Sequence, residues 1–165
     1  KYLKSNNPQL IFLNGHGTEK EICGHKDEAI FSPENANLLK DKFTYVRACF
    51  AGVSLGKEIV KNNSGCFIGY TNPFSFWMSS KWSTKPLNDK VASWYLKPSN
   101  EVIIRMVMGK TAKEAHEYSK KMMIESMKRI LALEEQKEPG APLMLQILWG
   151  NYEGQILLGN ENFEA

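Results

Sequence analysis

Two short apolar runs constrain this chain more than anything else in it. LIFLNGHG (10–17) and FTYVRACF (43–50) each end abruptly in polar or small residues. That is the pattern of a strand buried on both faces that opens into a loop. The segment between them is longer than the roughly dozen residues a parallel crossover requires, so the two strands can be neighbours in one sheet. A third run, GCFIGYTNPF (65–74), repeats the pattern.

The remaining segments supply the layers around such a sheet. EICGHKDEAIF (21–31) reads as a small hairpin turning at His25-Lys26-Asp27. SPENANLLKDK (32–42) reads as a helix with Ser32 as N-cap and Pro33 at its first position, and SLGKEIVKNN (54–63) as a second. An aromatic loop, NPFSFWMSSKWSTK (72–85), precedes a helix opening near Pro86 and a further short helix around SNEVIIRMVMG (99–109). The clearest helix is TAKEAHEYSKKMMIESMKRILALEE (111–135), whose apolar residues recur at three- and four-residue spacing. After the break at Pro139-Gly140, LMLQILW (143–149) and GQILLG (154–159) read as two closing strands. The order predicts an α/β fold, a mostly parallel sheet flanked by helices.

Composition sets the outer limits. At 165 residues, 42% hydrophobic and 24% charged, the chain has apolar material for one core, so a single domain is expected over 1–165. A net charge of +3, from 21 basic and 18 acidic side chains without a dense basic tract, argues against a nucleic-acid partner. The longest apolar stretches fall short of the roughly 20 residues that span a bilayer, and no signal-peptide pattern opens the chain. Three widely spaced cysteines, Cys23, Cys49 and Cys66, do not make a disulfide framework and suit a reducing cytoplasm. A start at Lys1, close to the first strand, suggests the C-terminal part of a longer protein with strands or modules upstream.

Chemistry collects at two strand ends. His16-Gly17 closes the first run and Cys49 the second, and adjacent parallel strands lie only about 4.8 Å apart. Open α/β sheets place their sites at these carboxyl ends. A thiol with an ordinary pKa of about 8.5 becomes an effective nucleophile when an imidazole takes its proton or stabilises its anion. His16 is placed to do so. The backbone N–H groups at Gly17 and Cys49 could receive a developing oxyanion, Gly17 because it has no side chain to block the approach. The residues alone leave a second reading open, a buried cysteine and a structural histidine. Other groupings are weaker. Cys23 and His25 lack the paired spacing of a metal site, Cys66 lies inside a strand, and His116, between Glu114 and Glu117, reads as part of a solvated face. Gly52 and Gly56 are not followed by the Lys-Ser/Thr of a phosphate loop.

FLNGHGTEKEICGHKDEAIF resembles the caspase-like cysteine peptidases of clan CD, in which a strand ending in His-Gly is followed by a small hairpin. YVRACFAG resembles their Ala-Cys strand. Within that clan the chain is most similar to the CHAT domains, related to caspases and separases, whose Ala-Cys is followed by Gly at the third position, as Gly52 follows Cys49. GKTAKEAHEYSKKMM (109–123) is similar to a helix start that recurs in CHAT domains, and GCFIGYTNPFSFW stands in the place of their third strand and following loop. The likeness covers about residues 10–127. It departs at Arg47, where many CHAT domains carry Ser, and at Thr111-Ala112, where Ser-Pro is common.

The resemblance implies a three-layer caspase-like fold and a cysteine endopeptidase working through an acyl-enzyme without metal or cofactor. His16 would be the general base, Cys49 the nucleophile, and the N–H groups of Gly17 and Cys49 the oxyanion hole. It also implies a protein substrate and an upstream sensor, helical-repeat module or regulatory partner, as in bacterial defence systems where a signal switches on cleavage. The alternative is a catalytically silent scaffold of the same fold.

Substrate contacts are expected from Arg47, Asn72, Phe74 and Trp77. Arg47, two residues before Cys49 on a strand, should share its face and lie beside the side chain that precedes the scissile bond (P1). Three outcomes stay open: a guanidinium that takes an acidic P1 residue; an Arg47 neutralised by Glu19 or Asp27, leaving Phe74, Phe76, Trp77 and Met78 to form an apolar pocket; or a basic P1 residue.

Overall fold

The computed structural model describes residues 2–164. After a short helix α1 (Tyr2–Asn6), the first apolar run forms β1 (Leu10–Asn14). The chain bends at Gly15 and enters a small antiparallel sheet of β2 (His16–Gly17), β3 (Ile22–Cys23) and β4 (Ala29–Phe31). The expected hairpin is present, its turn at His25–Asp27 made by the left-handed backbone of Lys26 and Asp27.

The main sheet is completed by β5 (Phe43–Arg47), β6 (Cys66–Tyr70) and β7 (Gln155–Gly159), in the order β1-β5-β6-β7. β1, β5 and β6 are parallel, and β7 runs antiparallel to β6. Between β5 and β6 lies α2 (Leu55–Val60), and three long helices follow β6: α3 (Lys90–Val107), α4 (Ala112–Glu135) and α5 (Ala141–Gly154).

Period-2 alternation divides the sheet into two buried faces. Ile11, Val46 and Phe67 point to Leu39, Leu55 and Ile59 on one side. Phe43, Tyr45, Ile68 and Tyr70 pack on Val102 and Met106 of α3 and Ala112 and Ala115 of α4 on the other. A third apolar cluster joins α3, α4 and α5 through Tyr95, Met123, Ile130, Met144 and Leu148. The result is a mixed α/β fold with a mostly parallel four-stranded sheet between helices. No helix among the described residues is long and apolar enough to cross a membrane.

Four expectations are corrected. LMLQILW is not a strand but the middle of α5, with Gly140 in the left-handed region at its start and Pro142 in its first turn. The helix expected over 32–42 is reduced to a 3-10 turn at Ala36–Leu39. There the Asn35 carboxamide accepts from the Ser32 N–H at 2.9 Å and donates to the Ile30 carbonyl at 3.0 Å, a local side-chain-to-backbone turn that competes with helix. The helices expected near Pro86 and around 99–109 are one, because α3 continues through Pro98. The Pro98 carbonyl accepts a hydrogen bond from Ser119 Oγ at 2.8 Å. Finally, His116 is not on a solvated face. It is half-buried, and its Nδ1 is shielded from solvent with no hydrogen-bond partner among the described residues.

Candidate active site

The site forms where β1 and β5 end. Their register pairs Asn14 with Arg47, so the two strands finish level and their extensions emerge together. At Gly15 the chain turns away from the main sheet, its N–H still reaching the Arg47 carbonyl at 3.4 Å. The next residue, His16, pairs with Cys23 in the small sheet. β2 is thereby held over the end of β5, and Gly17 packs directly on the Cys49 carbonyl and the Ala48 Cβ.

Cys49 occupies the turn between β5 and α2. Ala48 and Ala51 on either side are buried, whereas Phe50 is exposed and held at φ 59°. A bulky residue in the left-handed region is a strained one, and the surroundings impose it. The Phe50 N–H donates to the Asn72 carbonyl at 3.4 Å, the Gly52 N–H to Tyr70 at 2.9 Å, and the Val53 N–H back to Phe50 at 2.9 Å. The strand thus ends at Arg47, and the turn that follows lifts Cys49 out of the sheet.

His16, Cys49 and Arg47 line one cavity of about 440 Å³, together with Asn14, Gly15, Ala48, Phe74, Phe76 and Leu96. His16 is exposed and Cys49 half-buried. No direct hydrogen bond joins their side chains among the described residues, which is common before a substrate orders the contact. Cys23 and Cys66 are buried. Burial pushes the Cys66 thiol up to about 12, leaving it unreactive at neutral pH.

Arg47 is held from three sides. Its Nε donates to Asn14 Oδ1 at 2.9 Å, and its Nη1 donates to Asn100 Oδ1 at 2.7 Å and to Ser99 Oγ at 3.4 Å. The rings of Phe12 and Phe74 lie 5.4 and 5.8 Å from the guanidinium carbon. Neither Glu19 nor Asp27 pairs with it: among the described residues its acceptors are all neutral. Behind this group, Ser99 Oγ meets Tyr45 OH at 2.7 Å, Tyr45 OH meets Tyr70 OH at 3.1 Å, and Gln155 Nε2 donates to Tyr70 OH at 3.0 Å. A buried polar chain therefore anchors the cavity floor from β5 to β7.

Of the residues expected to touch substrate, Arg47 and Phe74 line the cavity, and Asn72 and Trp77 do not. The Asn72 carboxamide donates to the Gly150 carbonyl at 3.2 Å, bracing the turn after Cys49 against α5. Trp77 packs on the apolar cluster of α3, α4 and α5. Asn14, Leu96, Ser99 and Asn100 were not expected at the site. A polar residue at the end of an apolar strand marks Asn14 in the sequence. Ser99 and Asn100 have no local signal, since they reach Arg47 across 52 and 53 residues.

No protein-family model, curated protein or solved structure matches the chain.

Proposed function

We propose that this chain is a cysteine endopeptidase of the caspase-like, CHAT type. The observation that carries the reading is the convergence of His16 and Cys49 on one cavity at the carboxyl ends of adjacent parallel strands. Cys49 is also the most accessible of the three cysteines.

In this reading the Cys49 thiol gives its proton to His16, and Sγ attacks the carbonyl carbon of the scissile bond. The carbonyl electrons move to oxygen, where backbone N–H groups at Gly17 and Cys49 stabilise the charge. Collapse of the tetrahedral intermediate breaks the C–N bond, and the amine leaves with the proton from His16. Water then attacks the thioester, activated by the same imidazole, which releases the acid and restores the thiol. The substrate is a protein, and cleavage follows a signal passed from an attached module or partner, as in bacterial defence systems.

The test is turnover of a peptide library by the wild type and by Cys49→Ala and His16→Ala, with circular dichroism as the folding check. Turnover should vanish in the first and fall about 10²- to 10⁴-fold in the second. A Cys49→Ala protein that still cleaves would end this reading.

A further inference from the structure

A guanidinium has five N–H donors. In Arg47 the single donor on Nε and two bonds from Nη1 go to Asn14, Asn100 and Ser99. Nη2 has no protein acceptor among the described residues. Among the described residues every hydrogen-bond partner of Arg47 is uncharged and no carboxylate lines the cavity. A partly buried guanidinium that served only to hold the fold would normally be paired with an acid. Here the charge is oriented by neutral oxygens, flanked by two aromatic rings, and left uncancelled beside Cys49.

We propose that Arg47 is the specificity-determining residue and that the site takes a peptide carboxylate, so that the residue preceding the scissile bond is Asp or Glu. This rests on the peptidase reading for the bond that is cut, but the carboxylate site itself does not. Arg47 at the end of β5 and Cys49 in the turn that follows line one cavity, so an acyl group on Cys49 Sγ places its own side chain toward Arg47. Two N–H groups on Nη2 and a positive charge in a cavity walled by Phe74, Phe76 and Leu96 favour a carboxylate strongly over its uncharged amide. The same charge repels Lys and Arg. Asn14 and Asn100 act as positioning residues: they fix the plane of the guanidinium and contribute no charge of their own.

Two measurements test the proposal. The first compares kcat/KM for peptides identical except for Asp, Glu, Asn, Leu or Lys before the scissile bond. Asp or Glu should exceed Asn by about tenfold or more, and Arg47→Gln should abolish that ratio. Arg47→Lys, which keeps the charge should the Gln variant fold poorly, should retain part of it. Equal or better turnover of the Asn, Leu or Lys peptide overturns the proposal. The second uses the Cys49→Ala protein and needs no turnover: N-acetyl-aspartyl methylamide and its asparaginyl analogue are titrated while the Arg47 side-chain N–H resonances are followed. Shifts with the aspartyl ligand alone are expected. If no peptide is cleaved but that selectivity is present, the carboxylate site stands and the peptidase reading falls. If both ligands or neither shift Arg47, the carboxylate site is refuted.

Discussion

A Cβ built on Gly17 would stand 2.7 Å from the carbonyl oxygen of Cys49 and 2.9 Å from the Ala48 Cβ. Neither atom belongs to a side chain that can swing away, so the approach of the histidine strand to the cysteine turn depends on glycine. Gly17→Ala should destabilise the protein by about 1–3 kcal/mol and should slow any chemistry at Cys49 by moving His16. Gly150 is the contrast, a glycine inside α5 with nothing within 4 Å of its would-be Cβ. Gly150→Ala should stabilise by up to about 1 kcal/mol. Urea unfolding of both variants is the check.

The aromatic loop after β6 is clamped to α5 by one buried side chain. Asn151 Oδ1 accepts from the Ser75 N–H at 3.1 Å and Nδ2 donates to the Ser75 carbonyl at 2.6 Å. These bonds lie between Phe74 and Phe76, both in the cavity wall. Asn151→Leu should cost about 1–3 kcal/mol, because it leaves two backbone groups unpaired. In steady-state kinetics it should raise KM more than it lowers kcat, since it loosens the wall and not the reacting groups. An unchanged KM would show that the clamp does not shape the site.

Stability should fall between about pH 6.5 and pH 4 on account of His116. Burial, reinforced by the nearby Lys120 charge, pulls its pKa down to about 4, while the Gln155 amide opposes the shift. Yet neither His116 Nδ1 nor Gln155 Oε1 finds a hydrogen-bond partner among the described residues. Above pH 6.5 the imidazole is neutral both folded and unfolded. As pH falls toward 4 the unfolded chain takes up the proton first, and the folded state loses about 2 to 3 kcal/mol. Below 4 both forms are charged and this loss is complete. His116→Phe should flatten the stability profile across this window in urea titrations.

The strands and the strand-end pair were legible because they depend on local pattern. β1, β5 and β6 are apolar runs with polar exits, and His16 and Cys49 stand at those exits. α5 was not legible as a helix. Its buried positions, Ala141, Met144, Leu148, Asn151 and Gly154, keep a three- and four-residue period, but Leu143 and Trp149 on the other side are apolar and about half exposed, at 48% and 53%. That hides the polar face by which a surface helix is recognised. The continuity of α3 was hidden by Pro98, whose lost hydrogen bond is outweighed by the packing of Tyr95, Val102 and Met106 on either side of it. The Arg47 cradle could not be seen at all, since it is assembled from β1, β5 and α3 only once the chain has folded.

The most direct test of the central claim is the rate at which peptidyl ketone electrophiles modify each cysteine, followed by intact mass and peptide mapping. A single adduct on Cys49 is expected, formed about 10²-fold or more slowly in His16→Ala, with the buried Cys23 and Cys66 untouched. Equal labelling of Cys49 with and without the imidazole of His16 would mean that the two side chains share a cavity but not a reaction.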